Sequence, residues 1–115
     1  MKYVALIGLI GIFSANLQAA PELGSREVLL DNQAVLVVRL VYPVGSESGM
    51  HGHQFPNRVA YFVKGGKLEL IPADDQKPVT VMEAQDGDTQ YVPAATHNVR
   101  NIGNTEIIII ETEIK

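Results

Sequence analysis

The sequence predicts an all-β fold, a small jelly-roll barrel made of short antiparallel strands. From residue 27 onward, short runs rich in Val, Leu and Ile alternate with Gly, Pro, Asn and Asp turn signals, and no segment has a convincing helical period. Two of these runs, residues 35–41 and 107–110, are apolar on both faces, which predicts strands that face the barrel interior on one side and a second layer or subunit on the other. Many short strands joined by such turns are typical of a barrel or jelly roll.

The individual strands follow from the apolar runs and the residues that end them. The predicted strands are residues 28–30, 34–42, 58–64, 67–71, 79–82, 89–92, 97–102 and 105–114. The turn signals between them are Asp31-Asn32, Pro43 with Gly45, Gly65-Gly66, the loop 72–78, Asp86-Gly87-Asp88 and Gly103-Asn104. We expect Gly65-Gly66 to form a two-residue hairpin, because glycine accepts a positive φ.

The first twenty residues differ from the rest of the chain and are predicted to be a cleavable signal peptide. Lys2 provides a short positive start, residues 4–13 form an apolar run, and residues 14–20 are small and polar. The apolar run is about half the roughly twenty residues that span a bilayer as a helix. The alternative is an N-terminal core helix or a membrane anchor. The preferred interpretation divides the chain into residues 1–20, cleaved after Ala19 or Ala20, and a single domain, residues 21–115, without stable membrane insertion.

Composition excludes several classes of function. The 115 residues suffice for one domain, and the net charge of −4 comes from acids and bases that are interspersed. Without a basic stripe to neutralise phosphates, nucleic-acid binding is not expected. The chain has no cysteine, which excludes disulfides, thiolate ligands and a cysteine nucleophile. Because so short a domain has a modest core, we expect it to pair into a homodimer, and the signal peptide predicts a secreted, periplasmic protein.

The three histidines of the chain have the spacing of a metal site. His51 and His53 are two residues apart in a strand-like stretch, where side chains at i and i+2 share a face. His97 lies in a distant strand-like stretch. Two ligands from one strand and a third from another can hold one divalent ion and leave coordination positions open. Zinc, manganese, iron, copper and nickel all accept imidazole, so the pattern does not select one metal.

These histidines and their flanking residues resemble the cupin superfamily. The first cupin motif is matched by Gly45, His51-Gly52-His53, Arg58 in the place of a glutamate, and Gly65. The second motif is matched by Gly87, Pro93, Ala95 in the place of a glycine, His97 and Asn101. The resemblance covers nearly all of residues 21–115. It implies a double-stranded β-helix barrel, usually dimeric, with the metal ion inside and Asn101 fastening the backbone.

The sequence departs from the cupin pattern at the position of the glutamate ligand. Arg58 cannot bind a cation, because its guanidinium is always positive and has no lone pair to offer. The alternative register places Asn57 there, whose amide oxygen is a weak ligand. Three imidazoles still suffice for a metal site, and some cupin oxygenases work without a carboxylate. The loop before His97 is one residue shorter than in the motif, but we expect the ring still to point inward.

Several residues near these motifs have open roles. Strand parity groups Arg58 with Ala60 and Phe62, so Arg58 either points into the barrel and binds a ligand carboxylate, or lies at the rim in solvent or beside an acid. Gln54 and Asn57 are further candidates for ligand contact. The glutamates that bracket the isoleucines of the last strand are expected to shield its edge: Glu106, Glu111 and Glu113.

Three functions are compatible with the sequence. The first is a metal-dependent enzyme acting on a small organic molecule. Because no carboxylate base is evident beside the metal, oxygenase-like, simple hydrolytic or isomerase-like chemistry is favoured for it. The second is a binding module that holds a metal ion or small ligand without turnover and has an accessory role in small-molecule metabolism. The third is a vestigial cupin with a closed pocket. No residue identifies the substrate.

Overall fold

The computed structural model describes residues 11–12 and 19–115, and in this part of the chain it contains β-strands and no α-helix. The all-β prediction is therefore confirmed. No helix among the described residues is long and apolar enough to cross a membrane. Most of the predicted signal peptide, residues 1–10 and 13–18, lies outside the described residues, so the signal peptide and its cleavage site stay predictions.

The strands match the predicted segments to within a few residues at most ends. Their bounds are β1 Ser25–Asp31, β2 Val35–Tyr42, β3 His51–Gly52, β4 Asn57–Lys64, β5 Gly66–Pro72, β6 Thr80–Ala84, β7 Thr89–Pro93, β8 Thr96–Asn101 and β9 Ile107–Ile114. Strand β3 corresponds to the strand-like stretch expected around His51 and His53, for which the sequence predicts no bounds, and it ends at Gly52. It carries His51 and is therefore the strand that matters most for the site.

The strands form two antiparallel sheets arranged as a jelly roll. One sheet has the order β1-β2-β9-β4-β7 and the other β3-β8-β5-β6. From β2 onward, most connections cross from one sheet to the other. The predicted hairpin at Gly65-Gly66 is therefore wrong, because β4 and β5 belong to different sheets. Gly65 serves the crossing instead, since a side chain there would collide with the backbone of Ala84.

The core lies between the two sheets and includes residues from both. Its large buried side chains are Tyr42, Phe62, Leu68, Val99, Ile107 and Ile109. Asn101 ties this core to the following turn, because its Nδ2 donates to the carbonyl oxygens of Tyr42 and Thr105 and its Oδ1 accepts from the backbone N–H of Gly103. The expectation that Asn101 fastens backbone is confirmed.

Strand β9 corrects one expectation about the apolar runs. It lies inside its sheet between β2 and β4, so it has no open edge for acids to shield. Its inward positions alternate through Ile107 and Ile109 to Glu111 and Glu113, which are both 7% exposed. Neither glutamate is a surface residue. The outward side chains of β2 and β9 are mostly half-buried within one chain, so the cover of this face by a second subunit stays a prediction.

Candidate metal centre

The sheet topology brings the three histidines together at one end of the interior. Strand β3 pairs with β8 so that His51 lies directly opposite His97, and His53 follows β3 by one residue. His97 is 8% exposed and points inward as expected, while His51 and His53 are half-buried. Ring centroids are 4.8 Å apart for His51 with either partner and 5.3 Å apart for His53 and His97.

The ring nitrogens face one another at distances that suit a shared ion. Nε2 of His53 lies 3.0 Å from Nε2 of His51 and 3.3 Å from Nε2 of His97. Two nitrogens bound to one zinc-like ion at about 2.0–2.1 Å, with bond angles of about 90–110°, lie about 2.8–3.4 Å apart. The observed spacing therefore fits a single metal ion, and the three histidines form a candidate metal-binding group.

Hydrogen bonds at the opposite ring nitrogens leave Nε2 free on two of the histidines. Nδ1–H of His51 donates to the carbonyl oxygen of Gly49 at 2.9 Å, and Nδ1–H of His53 donates to the carboxylate of Glu113 at 2.6 Å. A carbonyl or carboxylate oxygen can only accept, so the proton of each neutral ring is held on Nδ1. The lone pair then remains on Nε2, the atom that faces the cluster.

Burial keeps the deeper rings neutral. Burial is the largest cause that lowers the pKa of His97 to about 4, and the charges that His51 and His53 carry when protonated, together with that of Arg58, lower it further. Burial also lowers the pKa of His53, although the hydrogen bond to Glu113 opposes this shift. Neutral imidazole is the form that binds a metal ion, so both rings are ready to act as ligands near pH 7.

Two carboxylates stand beside the histidines, which the sequence interpretation did not anticipate. Glu113 holds His53, and Glu111 approaches the same Nδ1 to 3.9 Å. The sequence pattern shows no carboxylate base beside the metal, and the two carboxylates that lie there are each engaged by another side chain. Both side chains share the inward face of β9 with buried isoleucines; the period of two predicts that they share a face but not that this face points inward. His53, Glu111 and Glu113 form a second candidate group, but there the carboxylates already bind Arg58 and His53.

Arg58 points into the barrel and binds an acid of its own chain. It is 2% exposed, its Nη1 donates to Glu111 at 3.0 Å, and its Nη2 donates to the carbonyl oxygen of Pro93 at 3.0 Å. The alternative of a solvent-exposed arginine at the rim is wrong, whereas pairing with an acid is confirmed. Both glutamates near this centre thus lie on β9. Strand β4 contributes Arg58, whose positive charge neutralises one of them, Glu111.

The other two candidates for ligand contact lie farther out. Asn57 is exposed and its Oδ1 accepts a hydrogen bond from the hydroxyl of Tyr91 at 2.8 Å. Adjacent strand residues point to opposite faces, so Asn57 points outward where Arg58 points inward. Gln54 is exposed and borders a cavity of about 350 Å³ that also reaches His51 and His53. Its role in ligand contact stays a prediction.

Glu113→Gln is expected to weaken metal binding by about 10–100-fold. The carboxylate of Glu113 accepts the hydrogen bond of His53 Nδ1–H and so keeps the lone pair of that ring on Nε2, the atom that would bind the metal ion. The glutamine amide can donate to Nδ1 of His53, which favours the tautomer with the proton on Nε2. Metal affinity from competition with a chromophoric chelator measures the loss, and nitrogen NMR of the imidazole reports the tautomer. Glu83→Gln is the matched control, because Glu83 lies on the surface, 3.6 Å from Lys67. Equal affinities in both variants would contradict the role of Glu113.

Comparisons with known proteins agree with the architecture. No protein-family model matches the sequence. The β-alanine degradation protein BauB of Pseudomonas aeruginosa is 32% identical over 89 residues, 76% of this chain and 90% of that protein. An uncharacterized protein of Methanocaldococcus jannaschii is 34% identical over 71 residues, 61% of this chain but only 52% of that protein.

Solved structures give the same result for the fold. A cupin domain from Bordetella pertussis is similar with a TM-score of 0.76 and 27% identity, over 85% of this chain and 99% of that one. An RmlC-like cupin from Methanocaldococcus jannaschii has a TM-score of 0.61 and 17% identity over 87% of this chain and 93% of that one. The second likeness concerns the fold alone.

Proposed function

Because the chain belongs to the cupin superfamily, we propose that it binds one divalent metal ion through His51, His53 and His97 and acts on a small organic molecule as a metal-dependent, oxygenase-like or isomerase-like enzyme. The observation that carries the proposal is the convergence of three Nε2 atoms, two of which have their lone pair freed by a hydrogen bond at Nδ1. The metal would be zinc, manganese, iron, copper or nickel.

The residues around the histidines support chemistry at a half-open site. A divalent ion bound there would supply Lewis acidity or a binding position for a small oxygen-containing ligand. Glu113 fixes the orientation of His53 and stabilises the positive charge that develops on its ring. Arg58 and Glu111 neutralise each other, so they can orient a reacting group by hydrogen bonding without adding net charge to the interior.

The second candidate function is a non-catalytic cupin that binds a metal ion or small ligand and has an accessory role in small-molecule metabolism. A specific observation favours it: Glu111 and Glu113 are both engaged, by Arg58 and His53, so neither carboxylate stands free to act as a general base. The name of the related β-alanine degradation protein supports a place in small-molecule metabolism for either candidate.

We propose two further properties of the protein, its export and its assembly into a homodimer. The apolar N-terminal run supports removal of residues 1–20 and a periplasmic location. A homodimer is supported by the outer face of the larger sheet, where Val41 lies opposite Ile108 and Tyr61 opposite Ile110. Such an apolar face is typical of an interface between subunits. The mass of the exported chain and the molecular mass in solution measure these properties.

Elemental analysis of the exported protein, purified without chelators, tests the proposed function. We expect about one equivalent of a first-row divalent metal per chain, because three neutral imidazoles converge on one point. Oxygen consumption with candidate diols, thiols or keto acids then separates the two candidates. Metal without turnover of any candidate would favour the binding protein, and a chain that takes up no divalent metal at all would contradict both metal-based proposals.

A further inference from the structure

The interior of the barrel holds a chamber whose apolar wall is not fully covered. Four large apolar side chains are only partly buried: Leu40, Leu70, Met82 and Val92. Each lies directly opposite a buried residue of a paired strand, respectively Ile109, Val99, Leu68 and Arg58. Directly opposed residues of a pair share a face, so all four point inward. Their exposed surface therefore faces the interior of the protein.

This wall surrounds a cavity of about 340 Å³ that ends at the histidine cluster. Its size is at the lower end of the roughly 300–1,000 Å³ of small-molecule sites. His51, His97, Arg58 and Glu111 line it together with the apolar residues. The chamber is thus apolar along its walls and polar where it meets the candidate metal centre.

Two polar groups of the wall are already engaged within the protein. The Tyr91 hydroxyl donates to Asn57, and Glu111 is bound by Arg58. A ligand with hydroxyl groups along its length would bury them without partners, which is costly. At the polar end, the Nε–H of Arg58 is buried and has no hydrogen-bond partner among the described residues, so an oxygen acceptor is favoured there.

The charge of the centre favours an acceptor that is an anion. Arg58 is positive and Glu111 and Glu113 are negative, so these three buried groups sum to −1. A divalent ion at neutral histidines changes the sum to +1. A ligand with a single negative charge then makes the buried centre neutral, whereas a phosphate dianion leaves it charged.

We infer that the chamber binds a small monocarboxylate with a continuous apolar body, with the carboxylate directed to the histidines and the body packed on the apolar wall. This inference rests on the proposed function for the position of the carboxylate, and on the wall alone for the apolar body. It names the substrate class of the same site and disfavours sugars, sugar acids and phosphorylated metabolites.

The test compares two six-carbon monocarboxylates of equal charge, hexanoate and gluconate, which differ in the hydroxyl groups along the chain. In calorimetric titrations of the full chain loaded with Zn²⁺, we expect hexanoate to bind at least about tenfold more tightly than gluconate, because only hexanoate covers the apolar wall without burying hydroxyls. Gluconate binding as tightly as hexanoate, or no hexanoate binding at millimolar concentration, would overturn the inference.

A pair of neighbouring variants locates the binding. Met82→Gln is expected to weaken hexanoate binding by about fivefold or more, since Met82 faces the chamber. Val81→Gln is the matched control and should leave it unchanged, because Val81 is 54% exposed on the opposite face of the same strand. Equal effects of the two substitutions would place the hexanoate elsewhere and overturn the inference. The methyl resonance of Met82 in the unsubstituted protein, which should shift with hexanoate and not with gluconate, gives the same answer without a variant.

The metal-free protein separates the failure of this inference from the failure of the proposed function. After treatment with a chelator, hexanoate should still be preferred over gluconate, although with lower affinity, since the apolar wall is unchanged. If the chain takes up no Zn²⁺ but keeps this preference, the metal proposal fails and the apolar chamber stands. If it takes up Zn²⁺ and shows no preference, the metal proposal stands and the chamber inference fails.

Discussion

His97→Ala is expected to abolish tight metal binding, lowering the metal content from about one equivalent to less than about a tenth. The substitution leaves two ligand atoms, the Nε2 atoms of His51 and His53, which lie 3.0 Å apart. Because both come from the same stretch of chain, they do not surround an ion. His97 supplies the ligand atom from a second strand, because it lies on β8 directly opposite His51. Elemental analysis and chelator competition measure the loss, and circular dichroism should still report a folded β protein.

Thr96→Ala provides the matched control, because Thr96 is exposed and is the preceding residue of the same strand. It should retain the metal of the unsubstituted protein. If His97→Ala also keeps about one equivalent, the metal ion is bound elsewhere and the assignment of the three histidines is wrong.

The same histidine gives the metal-free protein a pH signature. The pKa of His97 falls from 6.5 to about 4 in the folded chain, mainly through burial, so between these pH values the unfolded chain binds the proton and the folded chain does not. The free energy of unfolding should therefore decrease as the pH falls from about 6.5 to about 4. Urea titrations should find a smaller decrease in His97→Ala, and an identical pH dependence in both proteins would contradict the burial of a neutral His97.

The sequence was sufficient for the strands and for the inward direction of the histidines, because both depend on a local period of two. It was insufficient for the phase of β9. Residues 107–110 are isoleucine at every position, so the pattern does not say which parity faces inward. Without that phase, the sequence predicts that Glu111 and Glu113 shield a strand edge, and only the pairing of β9 between β2 and β4 resolves the ambiguity.

The sequence also does not predict which consecutive strands pair with each other. Gly65-Gly66 has the composition of a hairpin turn, but whether two strands pair or part to different sheets depends on distant partners. Strand parity correctly predicts that Arg58 can point into the barrel. It does not identify Glu111 as its partner, because that residue lies 53 residues away along the chain. Residues whose role depends on a distant neighbour are the ones that one-dimensional patterns leave undetermined.

Arg58→Ala is expected to lower the free energy of unfolding of the metal-free protein by about 3–5 kcal/mol, which is a large part of the roughly 5–15 kcal/mol that stabilises a domain. The cost comes from Glu111, which remains buried at 7% exposure after it loses the guanidinium that neutralises it. Urea unfolding followed by circular dichroism measures the change. Arg58→Glu, which restores the glutamate of the cupin motif, should also destabilise the protein, because position 58 lies opposite Glu113 across the β4–β9 pair.

A surface ion pair with the same nitrogen–oxygen distance provides the matched control. Nη1 of Arg39 donates to Glu27 at 3.0 Å, the same distance as between Arg58 and Glu111, but its side chain is 46% exposed. Arg39→Ala should therefore cost less than about 1 kcal/mol. In the double variant Arg58→Met with Glu111→Leu, most of the loss should be recovered, since no unpaired charge stays buried. If Arg58→Ala costs no more than Arg39→Ala, the charge of Glu111 is not buried, and the charge count on which the choice of a monoanionic ligand depends has to be abandoned.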